Sequence, residues 1–397
     1  MTLIKIIFIG LLILFFIYLI NKILLLRELK EKQTVFTDAK FQGSIAPLEM
    51  IQLKPQMQVQ EGMLNLFGSP SMSSEYYNIA KSSVIPNISN TANNSNTGLL
   101  LKQYCIKASY NSALTGTYVN LDMVQYVLSR GCRFLDFEVY SFDGIPYVAY
   151  STDNTFSSIK TLNKIPLQDV FNTIVIHGFI GPSPNPSDPL FVHLRVKTNN
   201  NELFSKIATI VDSTLKTKLY KGFIDHGTHL SDIMGKIVLI VDKKISPSYQ
   251  SSAPCSSSCT TSTTTLTMNT GCPTCYNLKN YVNAESGTTF LRIYNYSYIT
   301  EQAFTSPEIM DDGINTDVTS MKIVVPDAGA NFVGVLQNPT YYYLPMNYGA
   351  QIVAYPFYQN DVYLNQYEQA FADAKSAFVP LSVMLGYLNK ITSTLQT

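Results

Sequence analysis

From residue 3 to residue 26 the chain is apolar almost without interruption, broken only by Lys5, Gly10, Tyr18, Asn21 and Lys22. A helix of that length can cross a hydrocarbon core about 30 Å thick. Lys5 and Lys22 stand where their stems can snorkel to the two interfaces. A cleaved signal peptide would need a short apolar region and a small-residue cleavage site, and the stretch Asn21 to Arg27 offers neither. Residues 1–26 are therefore expected to be a single-pass transmembrane anchor. Lys22, Arg27, Lys30 and Lys32 follow the span and only Lys5 precedes it, which favours a cytosolic body. Sequons at Asn87, Asn93 and Asn295 would suit the opposite side.

Residues 27–99 show no sustained periodicity and read as a linker or spacer, with an Asn- and Ser-rich run over 86–96. From Leu99 the pattern changes to short apolar strands alternating with amphipathic segments. Strands are expected at Tyr104–Ala108, Phe134–Tyr140, Tyr147–Tyr150, Leu190–Val196, Lys236–Asp242, Thr289–Tyr294, Ile323–Val325, Phe332–Val335 and Gln351–Ala354. Helices are expected at Asn120–Arg130, Pro166–Phe179, Asn201–Tyr220 and Gln366–Phe378. This alternation predicts an α/β fold with a parallel sheet, closed as a TIM-type (β/α)8-like barrel over about residues 100–390. Residues 246–284, rich in Ser, Thr and Cys, read as an insertion between an X-like half (100–245) and a Y-like half (285–390).

Composition narrows the function classes. Lys+Arg equals Asp+Glu at 28 each, so the net charge is zero and a nucleic-acid binder is disfavoured. Within Phe134–Tyr140, alternation puts Asp136, Glu138 and Tyr140 on one face of a strand and Leu135, Phe137 and Val139 on the other. Two carboxylates on an otherwise apolar strand need a cavity, a cation or an arginine. The same alternation puts His193, Arg195 and Lys197 on one face of their strand.

The segment Ala108 to Gly116 resembles the Ser-His-Asn-Thr-Tyr-Leu-(Thr)-Gly motif that opens the catalytic domain of phosphoinositide-specific phospholipase C. Gly131 to Tyr140 resembles its Gly-Cys-Arg-x-x-Glu-x-Asp-x-Trp strand, and Asp143 to Tyr150 its Asp-Gly-x-Pro-x-x-x-His segment. Gly235 to Leu239 is similar to its Gly-Lys-Ile-Leu strand, Phe290 to Tyr294 to Ser-Arg-Ile-Tyr-Pro, and Tyr348 to Phe357 to Asn-x-Gly-x-Gln-x-Val-Ala-x-Asn-Phe. The six segments occur in the family's order.

The resemblance implies a calcium-assisted phosphodiesterase with two catalytic histidines, and this sequence departs from that pattern. Tyr110 and Tyr150 fall at the two histidine positions. Asn111, Asp136 and Glu138 fall at calcium-ligand positions, and Arg195 replaces a ligand glutamate. An Arg195 salt bridge to Asp136 and Glu138 is expected in place of the metal, and His193 is expected to be a satisfied core residue. Lys243 (or Lys244) and Arg292 match phosphate-contacting positions.

The expectation is therefore a phospholipase C-like protein without catalysis, anchored in a membrane as a structural or binding scaffold. The setting expected from composition is a structural membrane protein, such as one of a large DNA virus particle. The alternatives are a residual phosphoric diester hydrolase using Tyr110, Tyr150, His193 and Arg195, and a phospholipid-headgroup binder using Arg292 and Lys243. No cofactor is expected at the barrel site. Cys255, Cys259, Cys272 and Cys275 fit either zinc or two disulfides, whereas Cys105 and Cys132 are expected as buried strand residues. The partners implied are the membrane and either phospholipid headgroups or structural proteins. Tyr341, Tyr342 and Tyr343 read as an aromatic rim or as core.

Overall fold

The computed structural model describes residues 71–81, 87–151, 156, 158–250, 276–300, 320–327 and 338–394. The expected anchor, the four clustered cysteines and the expected strand Phe332–Val335 lie outside these residues. None of the described helices is long and apolar enough to cross a membrane.

Helix α1 (Met72–Ala80) leads into β1 (Tyr104–Ser109) and α2 (Leu121–Ser129). Strand β2 (Phe134–Phe142) turns through Asp143 and Gly144, both at positive φ, into the antiparallel β3 (Ile145–Val148). Asp-Gly is the residue pair that such a tight hairpin turn demands. Then come β4 (Ile165–Pro166), α3 (Leu167–Phe179), β5 (Leu190–Lys197), α4 (Glu202–Thr214) and β6 (Ile237–Asp242). The second half holds β7 (Ala284–Ser286), β8 (Leu291–Asn295), α5 (Tyr296–Thr300) and β9 (Met321–Val325). It ends with α6 (Tyr343–Tyr348), β10 (Ile352–Tyr355), α7 (Val362–Asp373), β11 (Phe378–Pro380) and α8 (Leu381–Thr394).

Hydrogen-bonded ladders run in the order β7-β6-β5-β2-β1-β10-β9-β8. All of them are parallel, so eight staves form a nearly closed barrel. Among the described residues no ladder joins β7 to β8. Residues 287–290 link these two strands directly, and a parallel pair needs a crossover of a dozen residues or more. The seam stays open because the chain is too short there.

Alternation on each stave makes two apolar layers. Ile106, Ala108, Phe134, Phe191, Val238, Ile240, Ile323 and Ile352 fill the interior. Leu135, Phe137, Val139, Val192 and Leu194 face outward to meet Leu167 and Val170 of α3 and Leu203 and Ile207 of α4. Such an interior is a packed core rather than a pore.

Part of the segment read as spacer belongs to this body. Glu75 of α1 accepts from Thr115 Oγ1 at 2.7 Å and from Thr117 N at 3.1 Å. Thr91 donates to both Asp188 oxygens, at 2.7 and 2.8 Å. Tyr341 lies buried against Tyr355, Tyr367 and Phe371, so it is core rather than rim. Cys105 and Cys132 are free and buried, and burial pushes both thiols up to about 12.

Candidate functional site

Strand register turns two alternating patterns into one cluster. In the parallel pair β2–β5, Asp136 lies beside His193, Glu138 beside Arg195 and Tyr140 beside Lys197. All six side chains point into the barrel above the apolar interior layer, and all are buried. Arg195 donates Nε to Asp136 Oδ1 at 2.9 Å and Nη2 to Asp136 Oδ2 at 2.6 Å, a two-point grip. Its Nη1 donates to Glu138 Oε1 at 2.7 Å and its Nη2 to Asn111 Oδ1 at 3.0 Å.

The remaining carboxylate capacity is also used. Glu138 Oε2 receives Tyr140 OH at 2.6 Å, Lys197 Nζ at 3.0 Å and Ser151 N at 3.3 Å. Asp136 takes His193 Nδ1 at 2.8 Å and the Asn111 backbone N–H at 3.1 Å. Asn111 holds a positive φ of 41°, which asparagine tolerates better than most residues.

Two carboxylates and two cations make the cluster electrically balanced. Burial alone would push the Asp136 carboxyl up, but the Arg195 charge and the His193 contact outweigh it and hold it below the usual range. The carboxylates in turn raise Arg195 further, despite its burial. Such a buried pair is costly to break, because either partner alone is an uncompensated charge.

The two tyrosines close the site from above. The Arg195 guanidinium carbon lies 4.7 Å from the Tyr110 ring centroid. Tyr110 and Tyr150 meet edge to face at 6.5 Å, and their exposures are 2% and 1%. Burial pushes the Tyr110 phenol far above its ordinary value, with Arg195 opposing and Tyr150 and the carboxylates adding to the rise. Tyr358 faces the same group, within electrostatic reach of Tyr150, Tyr110 and Glu138. The sequence reading passed over Tyr358, although it directly follows the matched segment ending at Phe357.

The structure thus brings together Tyr110, Asn111, Asp136, Glu138, Tyr150, His193 and Arg195. Lys243 and Arg292 do not join them. Lys243 Nζ is paired with Glu285 Oε2 at 2.7 Å, and its side chain is 44% exposed. Arg292 sits between Leu291 and Ile293, which pack on the barrel interior, so alternation turns it outward.

Calcium, implied by the resemblance, does not fit these residues: guanidinium, ammonium, phenol and imidazole donors already hold the carboxylate oxygens a cation would need. Among the described residues no group of three or more His, Cys, Asp and Glu is arranged to hold a metal ion.

Residues 99–244 match the family model described as phosphatidylinositol-specific phospholipase C, X domain. No curated protein matches the chain. Among solved structures the chain is similar to PLC21 of L. pealei, at 16% identity and a TM-score of 0.49, covering 72% of this chain and 38% of that one. It is also similar to a calcium-dependent phosphoinositol-specific phospholipase C of a Gram-negative Pseudomonas species. That match has 12% identity and a TM-score of 0.39, over 75% of this chain and 100% of the other. A third match is the phosphatidylinositol-specific phospholipase C of Listeria monocytogenes, at 19% identity and a TM-score of 0.28, over 37% of this chain and 54% of that one. This chain thus spans well under half the length of PLC21. Strands β2 and β5, which carry the charged cluster, fall within residues 99–244, the part of the chain that matches the X-domain model of the phosphatidylinositol-specific phospholipase C family.

Proposed function

We propose that this chain is a phospholipase C-like barrel without phosphodiesterase activity, serving as a scaffold or binding module beside a membrane. One observation carries the reading. Buried Tyr110 and Tyr150 occupy the positions where the resemblance expects histidines, and Tyr110 lies against an Arg195 that pairs with Asp136 and Glu138.

The chemistry follows from those groups. General acid–base transfer is worth about 10²–10⁴ in rate and needs a group that titrates near the working pH. A phenol titrates near 10 in water, and burial drives Tyr110 well above that. At neutral pH it can donate a hydrogen bond but cannot take a proton from an attacking hydroxyl. Arg195 could stabilise a phosphate in principle, yet contacts to Asp136, Glu138 and Asn111 occupy four of its five N–H donors. Releasing them would strip the buried Asp136 of its guanidinium and leave Glu138 with Lys197 alone.

Membrane attachment is supported by the largely apolar run over residues 3–26, where a helix would be long enough to span. The scaffold reading is tested by floating the full chain with liposomes, with and without residues 1–26. Flotation should require those residues. Flotation of the body alone on anionic vesicles would instead support a headgroup binder.

A further inference from the structure

Ser286 ends β7 on the interior side of the barrel, and its side chain is buried. Its Oγ lies 2.8 Å from His193 Nε2. The other ring nitrogen, Nδ1, lies 2.8 Å from Asp136 Oδ1. Hydroxyl, imidazole and carboxylate therefore stand in line, supplied by β7, β5 and β2. An ionised carboxylate only accepts, so with a neutral ring Nδ1 carries the proton and Nε2 accepts from the serine hydroxyl. That order of groups makes a hydroxyl nucleophilic on many unrelated folds.

We propose that Ser286, His193 and Asp136 form a nucleophilic serine site that reacts with small, uncharged, activated acyl or phosphoryl esters. In the step, Ser286 Oγ bonds to the electrophilic carbon or phosphorus while its proton moves to His193 Nε2. The imidazolium so formed donates through Nδ1 to Asp136, and the leaving group departs with its bonding electron pair. With a fluorophosphonate the products are a Ser286 phosphonyl ester, fluoride and a proton passed from Nε2 to solvent. Asp136 is a positioning residue that acts through His193.

Access and reactivity follow from the surroundings. Gly287, next to Ser286, has φ +81°, and Lys244 Cγ lies 2.7 Å from where a Cβ would stand. Lys244 is exposed, and its flexible side chain lies against Gly287. Among the described residues β7 also lacks a ladder to β8 on that side. Arg195 works against the nucleophile, because it shares Asp136 and weakens what the carboxylate offers an imidazolium. An activated electrophile is therefore the matching substrate class, rather than an ordinary ester or a charged lipid headgroup.

The test is to incubate the folded full chain with a small dialkyl fluorophosphonate and read adducts by intact mass and peptide mapping. The expected result is one adduct on Ser286, absent in Ser286→Ala and about 10²–10⁴-fold slower in His193→Gln. Folded protein with no adduct on Ser286 overturns the proposal. So does an adduct whose rate is the same in His193→Gln or, if that variant fails to fold, one that forms as fast in the urea-unfolded chain as in the folded one.

Discussion

At the scale of single residues, Arg195 holds the mouth of the barrel together. It touches Asp136, Glu138 and Asn111 and underlies Tyr110. Replacing it with methionine keeps most of the volume but leaves Asp136 without its arginine and Glu138 with Lys197 as its remaining cation. Arg195→Met should therefore cost about 3–5 kcal/mol at pH 7, read as a lower urea midpoint. The deficit should shrink as acid protonates those carboxylates. The native chain has its own pH signature. The folded Asp136 carboxyl is depressed relative to an ordinary one, so its stabilisation is fully present above about pH 4 and is lost as pH falls toward the folded value. Urea midpoints should be flat through this group from neutral pH down to about 4 and drop below that, and a midpoint that rises on acidification would contradict the pairing.

Elements add what no single residue shows. Lys107 on the outer face of β1, Arg130 at the end of α2 and Glu368 of α7 meet in a buried network. Lys107 Nζ lies 3.1 Å from Glu368 Oε1, and Arg130 Nε lies 2.9 Å from the same oxygen. Lys107 also donates to the Arg130 carbonyl at 2.7 Å. Glu368→Ala removes the common anion and should cost about 3–5 kcal/mol in chemical denaturation. The open seam gives a different expectation. In native-state hydrogen exchange the amides of β7 and β8 should open before those of β2 and β5, which are paired on both sides. Uniform protection around the barrel would contradict the seam.

The same elements show why the sequence was readable in places and opaque in others. Asp136, Glu138, His193 and Arg195 could be placed inward because both strands are long and alternate cleanly. Their mutual contact depended on register, which the motif order implied but the pattern did not. Strand β7 was hidden because Ala284–Ser286 is short and adjoins a Ser-, Thr- and Cys-rich stretch, and Ser286 was lost with it. Helix α8 had a legible signal in Leu381, Met384, Leu385 and Leu388, a buried stripe at helical spacing that was passed over. Arg292 had one too, since its apolar neighbours on both sides already turn it outward. The Lys107–Glu368 contact joins positions 261 residues apart, beyond the reach of any local pattern.

For the whole molecule, eight parallel staves form a nearly closed barrel whose mouth is filled with its own side chains. There, phenol, guanidinium, ammonium and imidazole donors hold the carboxylate oxygens that a divalent cation would need. Calcium at millimolar concentration should leave the thermal midpoint of the full chain unchanged, since a ligand of the folded state would raise it. A rise abolished by Asp136→Asn would show that the cation displaces Arg195. The most direct measurement is release of soluble inositol phosphate from vesicles containing labelled phosphoinositide, with calcium present and an active phospholipase C as positive control. The account predicts no release by this chain above that of a Tyr110→Phe variant or of buffer. Calcium-dependent release that Tyr110→Phe abolishes would contradict it.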